Sequence, residues 1–400
     1  MIEVRTGHPV SSDSVEAVNL YQDAVDRILG SESGAADTLD RAIELDEDFA
    51  LAAAARYYLA KDAGEPGADV HRDRAERSVL QASDWERQHV EMVIGLLDQP
   101  GATLDRAEAY LRTTPADMLV VSLLTGNRFF YGGPTKQQAV LSIFESVQEA
   151  LGDDWAFLAR LGFAASEAGQ RERGRELIER ALAIRPQSLF SIHALAHMLH
   201  DDGAAEESAR QLDDWLRLYG PGARDGQMYG HVQWHLALAE FQTGEREAAM
   251  QRYLAYCSPA TTTCGPVLTL ADCGGFLLRD YLQSGLQRPL DGAVTRHIER
   301  VWGMIGHPFI ALHVAALYAT AGDLSGLKHC EEAIQATPEG ANRDVSLALV
   351  HALRDHVAGD YPGALQTLAT LSPGARIGIG GSNVERILVD LVEASSQRRH

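Results

Sequence analysis

Glycines at positions 169, 203, 244, 322 and 359 each close one run of helix-periodic apolar residues and open the next. Glycine takes left-handed backbone without a steric penalty, so it can end a helix and let the chain reverse into a second one. The first two lie 34 positions apart, and the later neighbours within each group are stretched to roughly forty. Between them, Trp155-Ala-Phe-Leu-Ala-Arg-Leu161 and Ala181-Leu-Ala-Ile-Arg-Pro186 carry apolar residues at helical spacing, with a proline closing the second run. A hairpin of this kind has an apolar face that it cannot bury alone, so neighbouring hairpins must stack to make a core. Alanine and leucine dominate while alternating β-branched runs are almost absent, which predicts an all-α chain.

Taken in order, residues 1–13, with Gly7 and Pro9, read as an N-terminal arm. Ser14 is placed to cap a first helix over 14–29, whose Val18, Tyr21, Val25, Ile28 and Leu29 share one face. Helices over 36–45 and 49–61 form a hairpin that Gly64-Glu-Pro-Gly67 interrupts, and helical runs follow at 70–81, 84–97 and 104–113. The stretch 155–186 fits the tetratricopeptide pattern; 309–336 with Pro338 and 345–371 with Pro373 form further units. The expectation is one α-α superhelix of degenerate tetratricopeptide-type hairpins over 14–394, with 395–400 as a tail. Two stretches break the pattern, a loop at 259–266 and the glycine-rich 372–383 ahead of a last helix over 384–394.

The 400 residues are 46% hydrophobic and 23% charged, enough for a large core. A net charge of -21 argues against nucleic acid and anionic membrane surfaces as partners. No apolar run approaches the ~18 residues that a spanning helix needs, and no leader pattern is present, which predicts a cytoplasmic protein. Cys257, Cys264, Cys273 and Cys330 lack C-x-x-C spacing and read as reduced thiols.

The chemistry-bearing residues are two histidine pairs. His193 and His197 are four apart and share a helix face, which His200 rejoins. His231 and His235 repeat the spacing with Trp234 beside them. As metal ligands the four imidazoles would suit zinc or another transition ion, yet Ala194 and Val232 stand where helical metallohydrolase motifs carry a glutamate. Acid/base chemistry needs no such partner. His231, following Gly230 in the first turn of its helix, is expected to be kept neutral by the helix dipole and to act as base, with His235 as acid and Trp234 as an apolar wall.

These elements resemble the tetratricopeptide repeat protein 38 family over about 14–394. The matching stretches are Ser191-Ile-His-Ala-Leu-Ala-His197, His231-Val-Gln-Trp-His235 and Gly380-Gly-Ser-Asn-Val-Glu-Arg386, supported by Glu86-Arg-Gln-His89 and Pro115-Ala-Asp-Met-Leu119. The chain departs from the family at Thr125-Gly126 before Asn127, at His200 and at Ala311-Leu-His313. The resemblance implies a shared scaffold and cavity retuned to another ligand.

The residues together predict a small-molecule-binding protein, and more specifically an enzyme working by histidine acid/base chemistry without an organic cofactor: cyclisation, elimination, isomerisation or hydrolysis. His193, His197, His231 and His235 are the catalytic candidates. Trp234, His200, His89, Thr125, Asn127, His313, Ser382, Asn383 and Arg386 are the substrate-binding candidates. A peptide-binding adaptor is the first alternative, and a metalloenzyme ligated by His193, His197, His231 and His235 the second. Homodimer formation is left open by the sequence.

Overall fold

The computed structural model describes residue 4 and residues 6–131 and 133–400, and among these the regular structure is helical, with no β-strand. The chain is all-α, built from antiparallel helix hairpins of the tetratricopeptide type. It divides into two compact units: residues 1–129, 137–198 and 214–229 form unit 1, and residues 130–136, 199–213 and 230–400 form unit 2. No helix among the described residues is long and apolar enough to cross a membrane.

In unit 1 the Ser14 hydroxyl accepts the amide N–H of Ala17 at 3.2 Å and starts the helix Val15–Gly30, as its sequence position predicts. This helix packs on Ala35–Leu45, which packs on Ala50–Ala63. Residues 50–57 of the last are buried on every side, because its alanines let neighbouring backbones approach from several directions. The arm is docked: the Ser11 amide and hydroxyl both donate to Glu86 Oε1 at 3.0 Å, and His8 stacks on Trp85 with ring centres 4.9 Å apart. Glu86 also completes a capping box with Ser83 at the start of the helix Asp84–Asp98.

The clearest repeat pairs Trp155–Glu167 with Arg171–Ile184 across Gly169, whose φ is +85°. The two helices cross where Gly162 faces Gly174. A Cβ added to Gly174 would stand 2.9 Å from the Gly162 carbonyl oxygen and 3.1 Å from Ser166 Cβ. The crossing therefore depends on two missing side chains.

In unit 2, Pro266–Ser284 packs on Pro308–Ala321, which packs on both Leu324–Gln335 and Ala341–Ala358; Tyr361–Ala369 closes the series. Prolines open Pro266–Ser284 and Pro308–Ala321 at the position where a missing N–H costs nothing. Gly203, Gly244, Gly322 and Gly359 all have φ between +68° and +93°, the left-handed conformation expected of turn glycines. Phe276, Leu278, Ile310, Val314, Leu317 and Leu388 sit in the core of the unit. The final helix, Leu388–Arg399, runs past the expected end at 394, because Ser396 is buried in a 2.8 Å hydrogen bond to His356 Nδ1. Of the residues expected as a tail, Ser395 and Ser396 are buried, while 397–399 continue the helix exposed.

Replacing Gly174 by Leu overpacks the Gly162 crossing and outweighs the ~1 kcal/mol gained in helix propensity. A net loss of about 1–3 kcal/mol is expected in urea unfolding. His307 and His356 contribute to the acid sensitivity of unit 2. Burial, reinforced by Lys136 for His307 and by Arg399 for His356, pulls each from 6.5 to about 4. Both are neutral when folded and take up protons more readily when unfolded, so their contribution is present above pH 6.5 and is lost as the pH falls toward 4. His307 Nδ1 also accepts the Phe309 amide as an N-cap, a bond that protonation removes. Thermal melts from pH 7 to pH 4.5 should show a falling Tm, with a shallower slope in a H307N/H356Q double variant; parallel slopes would contradict the assignment.

Candidate functional site

The centre of unit 2 is a buried contact between His231 and Asp272. His231 Nδ1 lies 2.6 Å from Asp272 Oδ1, the imidazole being 2% exposed and the carboxylate fully buried. The residue before the histidine must be glycine: a Cβ on Gly230 would stand 2.3 Å from Thr262 Oγ1 and 2.7 Å from the Tyr256 carbonyl oxygen. The segment that crosses there begins with a π-helical turn, Tyr253–Cys257, whose Cys257 thiol donates to the Gly230 carbonyl at 3.4 Å. Trp234, one turn along the helix Tyr229–Gln242, donates Nε1–H to the Asp272 backbone carbonyl at 2.8 Å. Its ring lies nearly parallel to that of His231, with centroids 5.2 Å apart, and His235 meets both rings edge-on. One helix therefore holds Asp272 at its side chain and at its backbone.

The His231 pKa moves in the direction opposite to the one expected from the helix dipole. Burial alone would lower its pKa, but the adjacent Asp272 carboxylate, with a smaller contribution from Glu385, raises it above the usual 6.5. A carboxylate at hydrogen-bond distance outweighs the partial charge of a helix N-terminus. Burial pushes Asp272 up to about 6 despite the opposing pull of His231. With Asp272 ionised, His231 Nδ1–H donates to it, and Nε2 is the ring nitrogen that can exchange a proton.

A second helix brings His313 to the same unit. A Cβ on Gly274 would fall 2.7 Å from the His313 carbonyl oxygen, so Pro266–Ser284 and Pro308–Ala321 touch backbone to backbone. His313 donates Nδ1–H to the Phe309 carbonyl at 2.7 Å, while its buried Nε2 has no hydrogen-bond partner among the described residues. Burial lowers its pKa, favouring the neutral ring and leaving Nε2 an acceptor. Arg279 is buried too. Its guanidinium donates to the Gly275 carbonyl at 2.9 Å and the Val384 carbonyl at 2.6 Å, lies 5.8 Å from the Trp234 ring centre, and is pulled down by burial to about 10.

The glycine-rich segment serves this centre through Glu385. Its charge acts on His231, Asp272, His313 and Arg279. Ser382, expected as an N-cap, forms a capping box with Glu385, to which its amide and hydroxyl donate at 2.6 and 2.9 Å. Asn383 donates to Asp201 at 2.8 Å, beside His200, whose Nδ1 lies 3.5 Å from the same carboxylate group. Arg386 donates to the Gly381 carbonyl and to Asn383 Oδ1, and the fully buried Lys136 also donates to Gly381. Gly380 and Gly381 have φ of +97° and +68°, which fits the tight path.

Unit 1 holds the other predicted residues. His193 and His197 meet through their Nε2 atoms at 2.7 Å, so one ring must carry its proton there. Phe163 and Phe190 pack against this pair, with the Arg160 guanidinium 4.1 Å from the Phe190 ring centre. His89 bonds Asp117 at 2.6 Å, away from either pair in sequence. Thr125 and Asn127 lie inside the helix Met118–Tyr131; the Thr125 hydroxyl donates to the Val121 carbonyl, and the Asn127 amide to the Leu96 and Leu123 carbonyls.

Sequence reading missed Asp272 and Arg279, and gave no role to Glu385 and Asp117 within the stretches it quoted. Asp272 did leave a signal, as the one acidic residue within the otherwise apolar 266–278. A carboxylate inside such a helix calls for a partner, but nothing local identifies His231.

No family model matches the chain. Among solved structures it is similar to the crystal structure of the yeast Tom70, at 12% identity and a TM-score of 0.37, over 91% of this chain and 80% of that chain. It is also similar to the P58(IPK) TPR domain, at 13% identity and a TM-score of 0.23, over 96% of this chain and 88% of that chain. The hairpins and their turn glycines, rather than these likenesses, carry the fold assignment.

Proposed function

We propose that unit 2 carries a small-molecule site whose chemistry is proton transfer at His231. The observation behind this reading is the 2.6 Å contact of His231 Nδ1 with a fully buried Asp272 carboxylate. Such a carboxylate fixes the tautomer, so that Nε2 takes a proton from substrate, and it stabilises the imidazolium that results. His235, packed edge-on against His231, is the companion acid. The bare Nε2 of His313 would orient a substrate hydroxyl or N–H, and Trp234 forms a flat apolar face. Ser382, Asn383 and Arg386 support Glu385 in this scheme. His193 and His197 are proposed as a second functional pair, on a scaffold akin to the tetratricopeptide repeat protein 38 family. The reaction class is cofactor-independent cyclisation, elimination, isomerisation or hydrolysis in a cytoplasmic protein.

The second reading is a peptide-binding adaptor, favoured by the hairpin architecture. Fold class taken alone supports the adaptor more than an enzyme, and the His231–Asp272 contact supports the ligand site. A metal-ligating imidazole is also commonly held by a carboxylate through its other nitrogen. Stoichiometric metal in the purified protein would assign His231 and His235 to ligation instead of proton transfer.

Imidazole NMR titration gives the first test. His231 should titrate above 6.5 in the wild type and below 6.5 in Asp272→Asn, because removal of the carboxylate leaves burial as the main influence on its pKa. An unmoved titration removes the basis of the reading. A metabolite and peptide library screened by thermal shift gives the second. Small-molecule hits should lose about tenfold or more in affinity in His231→Ala and His235→Ala. Unchanged affinity in both variants, or hits confined to peptides, discards the site in favour of the adaptor.

A further inference from the structure

Unit 1 contains a cavity of about 240 Å3 that shares no residue with the centre of unit 2. Its walls include Val4 of the docked arm, Tyr21 and Leu29 of the first helix, Trp85 and His89 of the helix Asp84–Asp98, and Met118. Most of this surface is apolar or aromatic. Thr6, Gln22 and Asp26 add polar groups at half-buried positions of the lining, and the deeply buried polar feature is His89, 2% exposed, whose Nδ1 is held by Asp117 Oδ2 at 2.6 Å. The same oxygen accepts the Tyr110 hydroxyl at 2.7 Å, and Asp117 Oδ1 accepts the Val120 amide at 3.2 Å. Burial would push Asp117 up, but His89 and these hydrogen bonds hold it below the ordinary carboxylate value. Its accepting capacity is met from three directions, and it asks nothing of a ligand.

The other nitrogen of His89 is different. Nε2 is buried and has no hydrogen-bond partner among the described residues. An unpaired polar atom beside an apolar cavity carries a desolvation penalty that a ligand with one matching group can relieve. We propose that this cavity is a binding site for a small uncharged molecule of one or two rings that bears a single hydroxyl, seated on His89 Nε2. A hydroxyl suits either state of the ring, donating to a neutral imidazole or accepting from a charged one. The volume falls below the usual range for drug-sized ligands and is far too small for a peptide. Anions are disfavoured, because the Asp117 and Glu86 carboxylates set a negative field that, after burial, pushes the Tyr21 phenol above its usual value. Tyr21 and Trp85 line the cavity with aromatic surface.

The test uses the full chain with p-cresol and with toluene, its counterpart without the hydroxyl, followed by methyl NMR of Met118 and Leu119. p-Cresol should give saturable shifts and bind about tenfold or more tightly than toluene, since a site built around a hydrogen bond rejects a ligand that leaves it unmade. His89→Leu should remove the preference, and Val25→Trp, which fills the cavity, should abolish binding of both. Equal affinity for the two probes, no shift with either, or undiminished p-cresol binding by Val25→Trp would overturn the proposal. Should either variant fail to fold, the wild-type comparison of the two probes still decides it.

Discussion

A carboxylate without solvent contact is among the more expensive groups a protein can bury, and unit 2 is arranged around one. Asp272 sits inside an apolar helix, held at its side chain by His231 and at its carbonyl by Trp234. Breaking a buried pair of this kind from one side leaves an uncompensated charge and typically costs several kcal/mol. Several local features serve that contact: Gly230, which admits the crossing segment, Gly274, which admits the His313 backbone, and Glu385, whose charge reaches both partners. Oδ2 of Asp272 nevertheless accepts no hydrogen bond from the described residues, so the charge is balanced only in part. Burial holds Asp272 up at about 6 and its carboxylate raises His231, shifts that cluster at functional sites.

Unit 1 repeats the device in a different setting. His89 and Asp117 make the same Nδ1-to-carboxylate contact at the same 2.6 Å, but here Tyr110 and the Val120 amide complete the carboxylate. The outcome is opposite: Asp117 is lowered and Asp272 raised. Hydrogen bonds from Tyr110 and the Val120 amide to the charged form lower Asp117, while the Glu385 charge adds to the rise of Asp272; both groups are buried and both face a histidine. One chain thus carries two His–Asp contacts of like geometry and unlike electrostatics, which argues for separate tasks.

The fold was largely legible because its signals are local. Turn glycines at 169, 203, 244, 322 and 359 have the left-handed backbone that their positions imply, and Ser14 caps the first helix. Helix ends and turns depend on residues within a few positions of one another. The end of the last helix was placed short for the complementary reason. Ser396 is helical and buried because of His356, forty positions earlier, and no neighbouring residue announces that bond. Thr125 and Asn127 illustrate the same limit, as polar side chains that satisfy carbonyls within and between helices.

Sequence alone determined that the chain is helical, where its hairpins turn, and which histidines fall in pairs, because a period of 3.6 residues and a glycine turn are written in consecutive positions. The tertiary structure decided what those histidines are. It set Asp272 against His231, raising a pKa that the helix dipole was expected to lower, and gave Asp117 to His89. A pKa depends on burial and on charges brought near by packing, and neither quantity exists until distant segments meet.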